Sequence, residues 1–217
     1  MAKKEVGIIG LGNFGYYVGK SLVEMGHTVV GLDINQAKVR QAQEVLTKVF
    51  EANATDKIAL EQLGIAEMGN VVVSVGKSME ASILIALHLK EIGAQKVWVK
   101  AISEEHEIVL KKLGVEEVVF PERFAAQGLA RKLVVPGVVD YLSLAEGILV
   151  RELEVKEWAG KTLRELNLTN TYELQVVAIK PLRKEHFNFI PKADRELQAG
   201  DILLILGEEE KLSQIMA

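Results

Sequence analysis

The sequence predicts an α/β protein: a doubly wound parallel sheet followed by a small C-terminal α+β domain. Three observations carry this. A glycine-rich turn, Gly10-Leu11-Gly12-Asn13-Phe14-Gly15, joins the apolar run Val6 to Ile9 to a helix-like stretch ending near Gly26. From Val6 to Phe120, short β-rich runs alternate with helical stretches, which is the rhythm of parallel βα units. Past Pro136-Gly137 that rhythm is lost. The first half is therefore Rossmann-like, and the domains divide as residues 1–135 and 136–217.

In order, strands are expected at Val6–Ile9, Thr28–Asp33, Lys48–Ala52, Val71–Val75, Lys96–Ala101 and Glu117–Phe120. Val71-Val72-Val73 and Val97-Trp98-Val99 are nearly continuous apolar runs, as strands are when helices cover both sheet faces. Helices are expected at Asn13–Met25, Gln36–Val45, Asp56–Leu63, Ser78–Ile92 and Glu104–Leu113, with Gly26, Gly64, Gly93 and Gly114 at the C-cap positions. Six strands in this order favour a sheet arranged 3-2-1-4-5-6, with a ligand at the carboxyl ends near strands 1 and 4. Pro121 opens a further helix to Val134, rich in Ala125, Ala126, Gly128 and Ala130. That small-residue face suits either a subunit contact or packing within the monomer.

In the second half, Ile148–Val155 alternates apolar and polar residues like a half-exposed strand. Lys161–Leu166 reads as a short helix, and Gln175–Pro181, Asn188–Ile190 and Ile202–Leu206 as strands. A turn, Leu197-Gln198-Ala199-Gly200-Asp201, leads into the last strand, and Glu208–Met216 closes as a helix. A unit of this size is small for a substrate domain.

The order strand, glycine loop, helix, strand and acid is that of a nucleotide site. Gly10 permits the tight turn, Gly12 lets backbone approach a pyrophosphate, and Gly15 lets the helix pack on the strand. The helix N-terminus offers unpaired N–H groups to phosphate. Asp33 ends the second strand and can accept hydrogen bonds from ribose hydroxyls. It is followed by Ile34 and Asn35, so no adjacent Arg or Lys awaits a 2′-phosphate. That disfavours NADP and leaves NAD, ATP, ADP and AMP open.

Asn53 and Thr55, within Ala52-Asn53-Ala54-Thr55-Asp56, suit either an adenine or ribose edge or, at Thr55 or Asp56, a helix N-cap. Ser74-Val75-Gly76 ends the fourth strand where a ligand would lie; Gly76 allows close approach or simply makes the turn, and Ser78 caps the next helix. Lys100 closes an apolar strand and invites either a phosphate or Glu122. His27, His88, His106 and His186 are scattered, without metal-ligand spacing. His27 reads as a turn residue and His88 as a helix-surface one. There is no Gly-x-Ser-x-Gly elbow and no Walker A sequence, so no catalytic residue is assigned.

Composition narrows the classes further. The 217 residues contain no cysteine, which removes disulfides, thiolate metal sites and thiol catalysis. The net charge is −4 without a basic stripe, which argues against nucleic acid as a partner. No apolar stretch approaches the roughly 20 residues that span a bilayer, and Met1-Ala2-Lys3-Lys4 leads straight into a strand rather than a signal peptide. A soluble, cytoplasmic protein without direct membrane insertion is expected. The acidic second lobe reads as a solvated surface rather than a cation site.

The residues quoted above resemble the RCK (KTN) family, the cytosolic regulatory subunits and domains of Trk/Ktr-type potassium transporters and some potassium channels. The likeness lies in Ile8-Ile9-Gly10-Leu11-Gly12-Asn13-Phe14-Gly15, Asp33-Ile34-Asn35, Ala52-Asn53-Ala54-Thr55, Ala81-Ser82, Val97-Trp98-Val99-Lys100-Ala101 and Pro121-Glu122-Arg123. In the second lobe it lies in Gly160-Lys161-Thr162-Leu163 and Leu197-Gln198-Ala199-Gly200-Asp201. The resemblance implies an adenine nucleotide (ATP, ADP or AMP) or NAD(H) held by Gly10, Gly12, Asn13, Phe14, Gly15, Asp33, Ile34, Asn53, Ala54, Thr55, Val75, Gly76 and Lys100. It implies a Mg or Ca ion at Glu122 and a homodimer built on the helix from Glu122 onward, assembling into an octameric ring. It also implies an integral membrane potassium-translocating partner, which would hold this subunit at the inner face of the membrane. Asn13 stands where many transporter regulators have an Arg that reaches a γ-phosphate; asparagine offers a hydrogen bond without charge. Two other readings compete: a small NAD-dependent oxidoreductase, and an interaction module with a fixed structural nucleotide.

Overall fold

A computed structural model describes residues 2–76, 78–134 and 148–215. The chain divides into two compact units, Met1–Glu122 and Arg123–Ala217. The expected boundary at 135/136, with Pro136-Gly137, lies outside the described residues.

In the first unit, β1 (Glu5–Ile9), β2 (Thr28–Asp33), β3 (Lys48–Glu51), β4 (Asn70–Val73), β5 (Val97–Lys100) and β6 (Glu117–Val119) form one sheet. Its order is β3-β2-β1-β4-β5-β6, and every neighbouring pair is parallel. The helices between them are α1 (Asn13–Glu24), α2 (Gln36–Gln43), α3 (Lys57–Gln62), α4 (Met79–Glu91) and α5 (Glu104–Lys112). A short 3₁₀ turn at Ile65–Glu67, not expected from the sequence, precedes β4. Gly26, Gly64, Gly93 and Gly114 all take positive φ after a helix, as anticipated.

The period-two alternation of strand side chains sorts the apolar residues onto two faces. Ile9, Val30, Leu32, Val71, Val73 and Val99 join Ile85 and Leu89 of α4 and Leu110 of α5 in one core. Val6, Ile8, Val29 and Val72 join Leu11, Ala42 and Leu46 in the other, with Val18 and Leu22 of α1 packed against them. Full burial of each Val, Ile or Leu side chain stabilises the fold by about 1.5–3 kcal/mol. The second face is only partly covered. Over β4–β6, beside α1, lies a groove of about 370 Å³ lined by Phe14, Val18, Leu22, Val72, Trp98 and Val119.

Helix α6 (Pro121–Val134) begins with proline in its first turn, where a missing N–H costs nothing. It carries exposed Phe124, Leu129 and Leu133, and its small residues are not buried either.

In the second unit, β7 (Ile148–Glu154), β8 (Gln175–Lys180), β9 (Asn188–Phe189) and β10 (Ile202–Glu208) form an antiparallel sheet of order β7-β10-β8-β9. Short helices α7 (Leu163–Leu166), α8 (Leu168–Tyr172) and α9 (Glu209–Ser213) accompany it. Leu149, Leu153, Leu174, Ile179, Leu203 and Ile205 form its core with Leu212 of α9. Thr162 and Glu165 close a reciprocal capping box on α7. Helix α8 carries no local sequence signal, because its flanks are Asn167 and Glu173, both left-handed at φ 47° and 56°, and no glycine or proline marks either end. The expected end of the last helix, Met216, lies outside the described residues.

Candidate functional site

The carboxyl ends of β1, β2 and β4 meet at the glycine loop. Gly10 donates to the Leu32 carbonyl at 2.7 Å, and Ser74 to the Ile9 carbonyl at 2.7 Å. These two bonds fix the ends of the three strands around the turn. Gly10 sits at φ +94°, and a Cβ there would lie 2.7 Å from the Ser74 carbonyl oxygen, so both conformation and space demand glycine. A Cβ on Gly15 would lie 2.1 Å from the Gly10 carbonyl oxygen. Gly12 differs: a Cβ there would meet only the Lys38 ammonium, at 3.9 Å. Its glycine character leaves the surface of the loop open rather than filling the interior.

Capping sharpens the contrast. Asn35 caps α2, Asp56 caps α3, Ser78 caps α4 and Ser103 caps α5, each through a side-chain oxygen. Helix α1 begins at Gly12 with no side-chain cap. Its first-turn N–H groups, on Asn13, Phe14 and Gly15, are the kind that an anion satisfies.

Asp33 is buried, with 8% of its surface exposed. Its Oδ2 accepts the Leu11 N–H at 2.7 Å and its Oδ1 accepts the Asn35 N–H at 2.8 Å. The Lys38 ammonium lies 3.3 Å from Oδ2. Ile34 next to it is exposed, an apolar lip on which a flat ring can rest. No Arg or Lys adjoins Asp33 in the sequence, but Lys38 reaches it in space. Lys38 was missed because it is five positions on, and the first turn of α2 brings it back; helical geometry rather than adjacency was the signal to read.

Asn53 and Thr55 bond each other: Asn53 Oδ1 accepts the Thr55 N–H at 3.1 Å and its hydroxyl at 2.8 Å. The cap of α3 is Asp56, which accepts the Ile58 N–H at 2.9 Å. Ala54 is buried beneath this turn. Strand β4 stops at Val73, so Val75 and Gly76 have left the ladder, and a Cβ on Gly76 would meet nothing within 4 Å.

Lys100 and Glu122 form an ion pair at 2.5 Å, with the lysine side chain 14% exposed and the carboxylate 61%. The ammonium also lies 5.8 Å from the Phe14 ring centroid, within cation–π range. The Lys100 hydrogen bond holds the Glu122 carboxyl below its ordinary pKa. No group of three or more His, Asp or Glu able to hold a metal occurs among the described residues.

The histidines divide differently from expectation. His27 does sit in a turn, accepting the Lys4 N–H at 3.4 Å. His88 is half-buried, with an enclosed Nδ1 that has no hydrogen-bond partner, rather than lying on the helix surface. His106 is fully buried. Its Nδ1 accepts the Ile102 N–H at 3.3 Å, its Nε2 has no partner, and burial pushes its pKa down.

The chain therefore brings together an uncapped helix start, an open glycine turn and a fixed carboxylate, the features of a Rossmann-type phosphate and ribose site. Known proteins bear on what such a site serves. Residues 6–121 match the TrkA-N domain family and residues 150–217 the TrkA-C domain family. The Ktr system potassium uptake protein C of Bacillus subtilis is 36% identical over 213 residues, 98% of this chain and 96% of that one. Among solved structures, a GsuK channel bound to NAD has a TM-score of 0.64 at 18% identity. It matches 97% of this chain, which spans 38% of the channel's. The Kef C-terminal domain of Shewanella denitrificans in its AMP-bound form has a TM-score of 0.52 at 25% identity, over 60% of this chain and 82% of that one.

Proposed function

The chain belongs to the family that pairs a TrkA-N with a TrkA-C domain, and on that premise we propose that it is a nucleotide-sensing regulatory subunit of a potassium uptake system. The observation that carries the proposal is the hydrogen bond from the Leu11 amide to Asp33 beside the uncapped start of α1. One ligand that places phosphates on α1 and ribose hydroxyls on Asp33 engages both ends of that link. ATP, ADP, AMP and NAD(H) all share this adenosine-phosphate part. The full-length likeness to a potassium uptake protein supplies the process.

In this reading the membrane partner is the potassium-translocating subunit, and the chain is held at the inner membrane face through it. Two features support a homodimer, the unit of an octameric ring: α6 exposes Phe124, Leu129 and Leu133, and the sheet leaves an apolar groove beside α1. A second copy's helix in that groove would cover apolar surface on both. A Mg or Ca ion at Glu122 competes with Lys100 for that carboxylate and requires further oxygens from phosphate or a second subunit. No catalytic step is assigned to the chain.

Thermal unfolding with AMP, ADP, ATP and NADH, each with and without Mg²⁺ or Ca²⁺, tests the proposal. A ligand at 100-fold its Kd adds about 2.7 kcal/mol of stability. The absence of stabilisation by every nucleotide would refute it. Solution scattering of the ADP- and ATP-bound forms then separates a sensor, whose oligomer changes shape, from a module with a fixed structural nucleotide.

A further inference from the structure

Lys38 stands at the ribose end of the site with its Nζ 3.3 Å from Asp33 Oδ2. Asp33 is pinned. The Leu11 and Asn35 amides hold its two oxygens, and its side chain is only 7% exposed. Lys38 is 39% exposed, so its long stem can move its charge while the carboxylate stays.

A fixed carboxylate beside a ribose repels a second anion there, which is how such sites refuse a phosphorylated ribose; a neighbouring cation accommodates one. Both groups are present in this chain. Lys100 does not reach that end, since it pairs with Glu122 and lies near Phe14, while Glu51 lies opposite Asp33 in the β2–β3 register. The Lys38 ammonium instead lies over the open face of Gly12, 3.9 Å from where a Cβ would be.

We propose that Lys38 is a specificity-determining residue that lets the site accept an adenine nucleotide whose ribose itself carries a phosphate. This rests on the nucleotide-binding function proposed for the site. Asp33 serves the free hydroxyls; Lys38 leaves it to meet a phosphate on the 2′ or 3′ oxygen. Specificity at this end is then permissive rather than exclusive.

Calorimetric titration of the full chain with AMP, adenosine 2′,5′-bisphosphate and adenosine 3′,5′-bisphosphate tests this. The wild type is expected to bind at least one bisphosphate. Lys38→Ala is expected to raise the Kd ratio of that bisphosphate to AMP about tenfold, the scale of one charge-assisted hydrogen bond, and Lys38→Arg to restore it. Whichever bisphosphate responds locates the phosphate on the ribose. A rise of less than about threefold, or a wild type that binds AMP and neither bisphosphate, overturns the proposal. A wild type that binds no adenine nucleotide overturns the nucleotide site itself.

Discussion

The Leu11 amide and the Asp33 carboxylate lie 2.7 Å apart, so the phosphate-facing loop and the ribose-facing acid are one hydrogen-bonded unit. A ligand on either part therefore bears on the other. Four predictions follow from this and from three further contacts.

Asp33→Ala removes the acceptor of two backbone N–H groups and the partner of Lys38. Leaving buried donors unmet costs about 1–3 kcal/mol, so urea unfolding without ligand should show a loss on that scale. Nucleotide stabilisation should fall with it. Retention of wild-type nucleotide stabilisation would contradict the role given to Asp33.

The three loop glycines should separate. Gly15→Ala and Gly10→Ala place a Cβ against backbone and should destabilise the apo protein by about 1–3 kcal/mol or more. Gly12 has φ −69° and open space, so Gly12→Ala should leave apo stability within about 0.5 kcal/mol while weakening nucleotide binding. Melting curves with and without ADP distinguish the two classes.

His106 is buried with a depressed pKa, so the unfolded chain takes up its proton before the folded one does. Stability from keeping it neutral is complete above the unfolded value, about 6.5. It is lost as pH falls below that toward the folded value. His106→Gln should therefore show a smaller drop in melting temperature between pH 7.5 and 5.5 than the wild type. Equal drops would show that His106 contributes nothing to the acid limb.

Asp201 is 1% exposed and accepts from the Arg195 guanidinium at 3.2 Å and from the Gln198 and Leu182 amides at 3.3 Å. Asp201→Ala should cost about 1–3 kcal/mol, seen as faster hydrogen exchange in β8 and β10. Nucleotide affinity of the first unit should be unchanged; a loss there would mean that Asp201 does more than lock its turn.

Most of the first unit was legible in the sequence because its signals are local. The continuous apolar runs of β1 and β4, the glycines after helices and the Gly10–Gly15 spacing each depend on residues a few positions apart. The N-cap of α3 was legible only as a choice between Thr55 and Asp56, since both residue types cap helices; the fold assigns it to Asp56. Helix α8 was not legible, because left-handed Asn167 and Glu173 are conformations that the rest of the unit imposes.

The sequence by itself determined the strand order, the glycine loop and the acid at the end of β2. Hydrophobic period and turn chemistry are written in neighbouring residues. Only the tertiary structure decided which charge meets which. Lys38 reaches Asp33 because a helix turn folds it back, Lys100 meets Glu122 because β5 and β6 lie side by side, and His106 is buried because α5 docks on the sheet. Such pairings depend on strand register and helix docking, which bring together residues that no short stretch of sequence contains.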